Sequence, residues 1–161
     1  LERRGARRMP ARPFADTFEI AGRVVEVPHK TSPYTLEERL AHFDLALSAI
    51  GAEHRPGDDW SASIHDLARV SVERRTVLLL KPLVNWKYAL TILERMRRYA
   101  AELGFASRAE DEAEVWSVFE SQPDDIRAGM LARYAETSMG GFNVLEEIEH
   151  RFTPGQGLAQ P

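Results

Sequence analysis

From Pro82 to Gly104 the apolar residues keep one helical beat, and a helix of that length dictates what must surround it. Leu83, Trp86, Leu90, Leu93, Met96, Ala100 and Leu103 recur at steps of three and four, the 3.6-residue period of an amphipathic helix. Pro82 cannot sit in a helix interior, but its restricted φ suits a first turn. Gly104 marks a left-handed stop, and Phe105 is placed for the apolar contact that accompanies such an ending. About 22 helical residues span roughly 33 Å, the width of a small domain. The stripe therefore needs partners on more than one side, and the spacing predicts a central core helix.

Other segments repeat the pattern. Thr35 with Glu38 is a capping-box pair, and Leu36, Leu40, Phe43, Leu47 and Ile50 follow as a narrow near-heptad seam that Gly51 ends. Ser107 with Glu110 opens a helix through Ala109, Ala113, Trp116 and Phe119, which stops before Pro123. Asp124 and Asp125 favour the next N-terminus, and Ile126, Met130 and Tyr134 line that helix to about Met139. Beyond Gly140-Gly141, Asn143 and Glu146 open a last short helix with Leu145, Ile148 and Phe152 inward. Ser63 to Lys81 fits buried helix or buried strand, because Val77 to Leu80 is a continuous apolar run; helix is the preferred reading. Only Thr17 to Val27 alternates as a strand does, as a short hairpin or an extended arm, although Ala21-Gly22 is a poor two-residue turn.

The expectation is an all-α bundle of five to six helices with an extended or short β-like N-terminal arm. Residues 1–16 form a basic flexible arm, 17–153 a single helical domain and 154–161 a loose C-terminal tail. The length fits one core. Without cysteine there is no disulfide, thiolate metal site or thiol nucleophile, which is compatible with a cytoplasmic protein. The basic arm has no signal-peptide core behind it, and no apolar run approaches the ~18 residues that cross a bilayer. A net charge of −4 gives no global attraction to nucleic acid or acidic lipid.

Ser63 to Lys81 (SIHDLARVSVERRTVLLLK) resembles the repressor-type helix-turn-helix. The Asp66-Leu67-Ala68 step, Val72 in the turn and Thr76-Val77 opening a recognition helix carry the likeness. That resemblance implies DNA binding through Arg69, Arg74, Arg75 and Lys81, although the usual turn glycine is missing and the spacing from Ala68 to Val72 is one residue short. Glu147 and His150 stand three apart in LEEIEHRF, as in the Glu-x-x-His pairs of carboxylate-bridged metal bundles. With no second such pair they are weak metal candidates, better read as a charged face. The serines lack a Gly-x-Ser-x-Gly frame and no glycine-rich phosphate loop is present. No catalytic residue and no cofactor is therefore assigned.

The order of an apolar helix, a Tyr- and Trp-bearing helix ending in Gly, and RFTPGQGL near the end is loosely similar to the helical half of nitrile-hydratase β-type subunits. That likeness implies an accessory subunit. Aromatic and arginine side chains are the types enriched at interfaces. The leading expectation is a non-catalytic helical subunit or adaptor that assembles with itself or with a larger protein partner, docking through Phe14, Phe18, Phe142 and Phe152. Nucleic acid is the alternative partner, and no membrane is expected.

Overall fold

The computed structural model describes residues 5–10, 15–29, 35–54, 56–57, 59–142 and 144–152. Half of these residues are helical and a fifth lie in strands, arranged as three small sheets. The fold is therefore mixed α/β, and the all-α helical bundle is corrected. Contacts divide the chain into two compact units, Leu1–Thr35 and Leu36–Pro161.

The first unit is an antiparallel sheet of order β1-β2-β3, formed by β1 (Arg7–Arg8), β2 (Ala15–Ile20) and β3 (Arg23–Pro28). Ile20 pairs with Arg23, so Ala21 and Gly22 alone make the turn. Their φ values of 50° and 74° are both positive, the type I′ geometry whose twist matches paired strands. An alanine thus occupies a position that usually takes Asn, Asp or Gly. Arg8 meets Asp16 at 2.6 Å, and that hydrogen bond, against a smaller opposing effect of burial, lowers the Asp16 pKa.

In the second unit α1 (Leu36–Leu40) leads to an antiparallel pair, β4 (Ile50–Glu53) and β5 (Ser61–Ile64), and then to α2 (Asp66–Glu73). His65 caps α2, its Nδ1 accepting from the Leu67 N–H at 3.2 Å. β6 (Thr76–Val77) runs parallel to β7 (Ala106–Ser107), which follows α3 (Ala89–Leu103). The chain closes with α4 (Ala109–Glu120), α5 (Asp124–Thr137) and α6 (Val144–Phe152). α3 packs against α4, α5 and α6, and Leu90, Ile92, Leu93 and Met96 from it are almost wholly buried. Gly104 has φ 61° and ends α3 in the left-handed conformation.

Two expected helices do not form as read. In the seam from Leu36 to Ile50 the α-helix ends at Leu40, and only a single 3-10 turn, Ala46–Ser48, follows. Beyond Leu40 the Ala46 N–H donates to the Leu78 carbonyl at 2.9 Å, and the Leu80 N–H to the Asp44 carbonyl at 2.8 Å. Residues 44–46 thus lie beside 78–80, with Leu45 extended and bridged to Leu79 just before that 3-10 turn. The apolar run alternates: Val77 and Leu79 enter the main core, while Leu78 and Leu80 join Leu40, Ala46 and Ala49 in a second. That two-residue period is a strand buried on both faces. No recognition helix follows α2, because Arg75 at φ 49° turns the chain straight into β6. The helix-turn-helix is therefore absent. Gly51 does not cap a helix but lets β4 approach α1, since a Cβ there would stand 2.7 Å from Leu36 Cδ1.

Candidate functional site

The polar groups that converge in the second unit come from three separated segments. On α3, Arg95, Arg98 and Tyr99 share one flank, being three and four residues apart. The segment beside 78–80 contributes Asp44 and, a turn later, Ser48. Asn85 stands in the loop before α3.

Asn85 ties the 42–44 segment to the loop before α3, its Nδ2 donating to Asp44 Oδ1 at 2.9 Å and to the His42 carbonyl at 3.1 Å. Asp44 is buried, and burial raises its carboxyl pKa although the Asn85 amide and the Arg95 charge oppose it. Arg95 Nη2 donates to Ser48 Oγ at 3.3 Å and makes a long 3.5 Å contact with Tyr99 Oη. Both guanidiniums lie by the Tyr99 ring, Arg95 at 5.7 Å and Arg98 at 5.8 Å from its centroid, within cation–π range. Burial would raise the Tyr99 pKa, but the Arg95 and Ser48 hydrogen bonds and the two positive charges outweigh it and bring it down. The result is a half-buried surface with two cations, an aromatic face and a carboxyl that resists ionisation. Such a set suits an anionic ligand carrying a planar ring.

The residues singled out from sequence lie elsewhere. Arg69 is exposed on α2, and Arg74 and Arg75 end it, with Arg75 5.6 Å from the Phe105 ring centroid. Lys81 is apart from them in its interactions, held by Glu114 at 2.8 Å with Asp111 at 3.9 Å. Glu147 is clasped by Arg97, with contacts of 2.6 and 3.1 Å, while His150 is exposed. Among the described residues no group of three or more His, Asp or Glu side chains converges as a metal site would. Phe14 lies outside the described residues. Phe18 is half-buried on β2 of the first unit. The Phe142 carbonyl accepts from Arg97 at 3.4 Å, and the Phe152 ring packs edge-on against Phe119 at 5.7 Å under Arg127. Sequence reasoning missed Asp44, Ser48, Asn85, Arg95 and Tyr99 as a set. The usable signal was Arg95, Arg98 and Tyr99 sharing a face off the apolar stripe of α3.

No protein-family profile matches the chain, and no curated protein matches it. Among solved structures the fold is similar to enzymes that process transfer RNA. A tRNA-processing enzyme with CTP matches at TM-score 0.58 and 18% identity, over 91% of this chain and 44% of its own. A tRNA nucleotidyltransferase complexed with a primer tRNA and an incoming ATP analog matches at 0.57 and 18% identity, over 91% and 48%. The apo form I of a tRNA-processing enzyme gives 0.56 at 15% identity, over 94% and 42%. At these identities the likeness concerns the fold, and the chain spans less than half the length of each. It nonetheless replaces the expectation of a non-catalytic helical adaptor, and with it the accessory subunit like nitrile-hydratase β chains: the matched fold is one that catalytic proteins use. No helix among the described residues is long and apolar enough to cross a membrane.

Proposed function

We propose that the chain is part of a nucleotidyltransferase acting on RNA, and that its second unit holds the nucleotide at the Asp44, Asn85, Arg95 and Tyr99 surface. The observation that carries this reading is the pairing of Arg95 and Arg98 on the Tyr99 ring beside a buried carboxyl, within a fold whose solved neighbours include one with CTP and one with tRNA and an ATP analog. A guanidinium binds phosphate through charge-assisted hydrogen bonds, and an aromatic face stacks on a base. Ser48 positions Arg95 by accepting from its guanidinium, and Asn85 holds the Asp44 carboxyl within reach of that charge. Divalent cations that clamp phosphate oxygens in such reactions need converging carboxylates. Among the described residues no three or more His, Asp or Glu side chains converge, and the role assigned to this unit is binding and orienting the nucleotide. RNA is the proposed nucleic-acid partner, met in the cytoplasm.

Calorimetric titration with ATP and CTP tests the reading. Wild type should bind at least one. Arg95→Ala should weaken that binding about 10-fold or more, as expected for losing one hydrogen bond to a charged group worth about 1.5–3 kcal/mol. Arg69→Ala, on α2, should leave it unchanged. Wild type that binds neither nucleotide, or an Arg95→Ala protein that binds as well as wild type, sinks the proposal.

A further inference from the structure

Glu94 and Arg98 stand one turn apart on α3, so a residue fixed to the first lies over the second. That residue is Met139, just beyond α5, whose N–H donates to Glu94 Oε1 at 2.8 Å. Its side chain reaches the Arg98 guanidinium, with Sδ against Nη1. The two partners differ in their access to solvent. Met139 is 75% exposed, whereas the Arg98 side chain it covers is 17% exposed. Arg98 is weakly paired for so covered a cation: Glu102 Oε1 stands 4.0 Å from its Nε, and a thioether sulfur is a weak acceptor. The same guanidinium lies 5.8 Å from the Tyr99 ring centroid in the candidate site.

Thioethers oxidise where solutes can reach them. Of the four methionines, Met96 and Met130 are buried in the core and Met9 is half-buried in the first unit. Met139 therefore offers its sulfur most freely.

We propose that Met139 is an oxidation site and that its sulfoxide draws Arg98 out of the nucleotide surface, making binding sensitive to peroxide. A sulfur lone pair attacks one oxygen of hydrogen peroxide, and an S–O bond forms as the O–O bond breaks. The departing hydroxide takes the proton left on the transferred oxygen and leaves as water. Sulfur is oxidised by two electrons and the peroxide is reduced. The new oxygen is one bond from the sulfur already touching Nη1, and it is a strongly polar acceptor where the thioether was a weak one. Hydrogen bonds from a charged donor are about twice as strong as neutral ones, so a phosphate must displace this oxygen to use Arg98. The positive charge stays in place, so affinity falls without vanishing. Methionine sulfoxide is reduced enzymatically, which makes the change reversible. This inference rests on the nucleotide reading above.

Calorimetric titration with ATP and with CTP, before and after hydrogen peroxide, tests it, with peptide mass spectrometry locating the added oxygen. Met139 should gain oxygen ahead of Met96 and Met130, and affinity should fall about 3- to 10-fold, less than for Arg95→Ala. Methionine sulfoxide reductases should restore it. Met139→Leu keeps the N–H to Glu94 and the apolar cover, so it should bind like untreated wild type and lose nothing on treatment. That variant also removes any part played by Met9. Arg98→Leu should bind more weakly from the start and lose nothing further. Wild type oxidised at Met139 that binds as tightly as before overturns this inference alone and leaves the nucleotide reading standing. So does an equal loss on treatment of Met139→Leu or Arg98→Leu, or a loss of helical circular dichroism when wild type is oxidised. Untreated wild type that binds neither nucleotide sinks the nucleotide reading, and this inference with it.

Discussion

Replacing Glu94 by alanine removes the one acidic side chain that α3 carries into the core. Glu94 is 1% exposed and accepts three hydrogen bonds: from Tyr134 Oη at 2.7 Å, Ser138 Oγ at 2.5 Å and the Met139 N–H at 2.8 Å. All three donors belong to the end of α5 and the residues just after it, so one carboxylate clamps that end to α3. A hydrogen bond to a charged group contributes about 1.5–3 kcal/mol. The three are not additive, because water can reach Ser138 and Met139 once the carboxylate is gone. Leaving the buried Tyr134 hydroxyl without its acceptor costs about 1–3 kcal/mol, and that range is expected for Glu94→Ala. Tyr134→Phe deletes a single donor and should cost about 1.5–3 kcal/mol. The two sites share a hydrogen bond, so the double mutant should lose less than the sum. Burial would raise the Glu94 pKa, but its three donors and Arg98 outweigh that and lower it below 4.5. A carboxylate with a depressed folded-state pKa contributes stability above its unfolded value and loses it as pH falls through the folded one. The gap between wild type and Glu94→Gln should therefore be constant near neutrality and narrow below about pH 4.5. Urea unfolding followed by circular dichroism across that range measures it. A Glu94→Ala cost under about 1 kcal/mol, or a gap that does not change with pH, refutes the clamp.

Other consequences are open to direct measurement. The Tyr134 phenol is raised to about 12, chiefly by burial and by its carboxylate neighbour, so wild type should lose stability as pH climbs from about 10 toward that value, and Tyr134→Phe should lose less in thermal melts. Asp44→Asn keeps an acceptor for Asn85 and removes a buried charge, so its melting temperature at pH 7 should equal or exceed wild type; Asp44→Ala leaves the Asn85 amide only its bond to the His42 carbonyl and should melt lower. Arg97 bridges Glu112 at 2.9 Å and Glu147 at 2.6 Å, so Arg97→Ala should free α6 and speed amide exchange across 144–152 more than across α4. Gly104→Ala places a Cβ at φ 61° and should cost about 1 kcal/mol in chemical unfolding.

The parts of the fold legible in the sequence are those where burial follows one period. α3 shows this best, because Leu90, Leu93 and Met96 enter a single core and Gly104 stops the helix where a left-handed residue is needed. Leu36 to Ile50 misleads because its steps of three and four suit a seam, yet Leu36 and Leu40 serve one core, Leu47 another, and Ile50 is 49% exposed. Spacing records that a side chain is apolar, not which core receives it. Val77 to Leu80 poses the same problem in reverse: a strand buried on both faces has no polar alternation to betray its period. The Ala21-Gly22 turn shows the third failure, since context overrides the steric preference that argued against it.

The candidate site lies where those failures overlap. A helix from Leu36 to Ile50 would put His42 and Asp44 on different sides of one rod, far from any thought of Asn85. Once residues 44–46 run beside 78–80 through the Leu45 bridge, the Asp44 carboxyl and the Asn85 amide can meet, although 41 positions separate them. No local motif encodes that meeting. It depends on Leu45 and Leu79 sharing a bridge, and on Leu78 and Leu80 pointing away from it into the second core. Arg95 and Tyr99 then need only the ordinary flank of α3 to face the pair. Helical periodicity thus supplies half of the site, and two short segments that carry no recognisable period supply the other half. Any account of what this surface binds must therefore start from the pairing of 44–46 with 78–80. A substitution that breaks that pairing without touching a polar side chain, such as Leu80→Pro, which removes the Leu80 N–H bond to the Asp44 carbonyl, should abolish nucleotide binding as fully as Arg95→Ala. Circular dichroism must first establish that α3 to α6 persist in that variant; binding that survives in such a folded protein would mean the paired segments do not build the site.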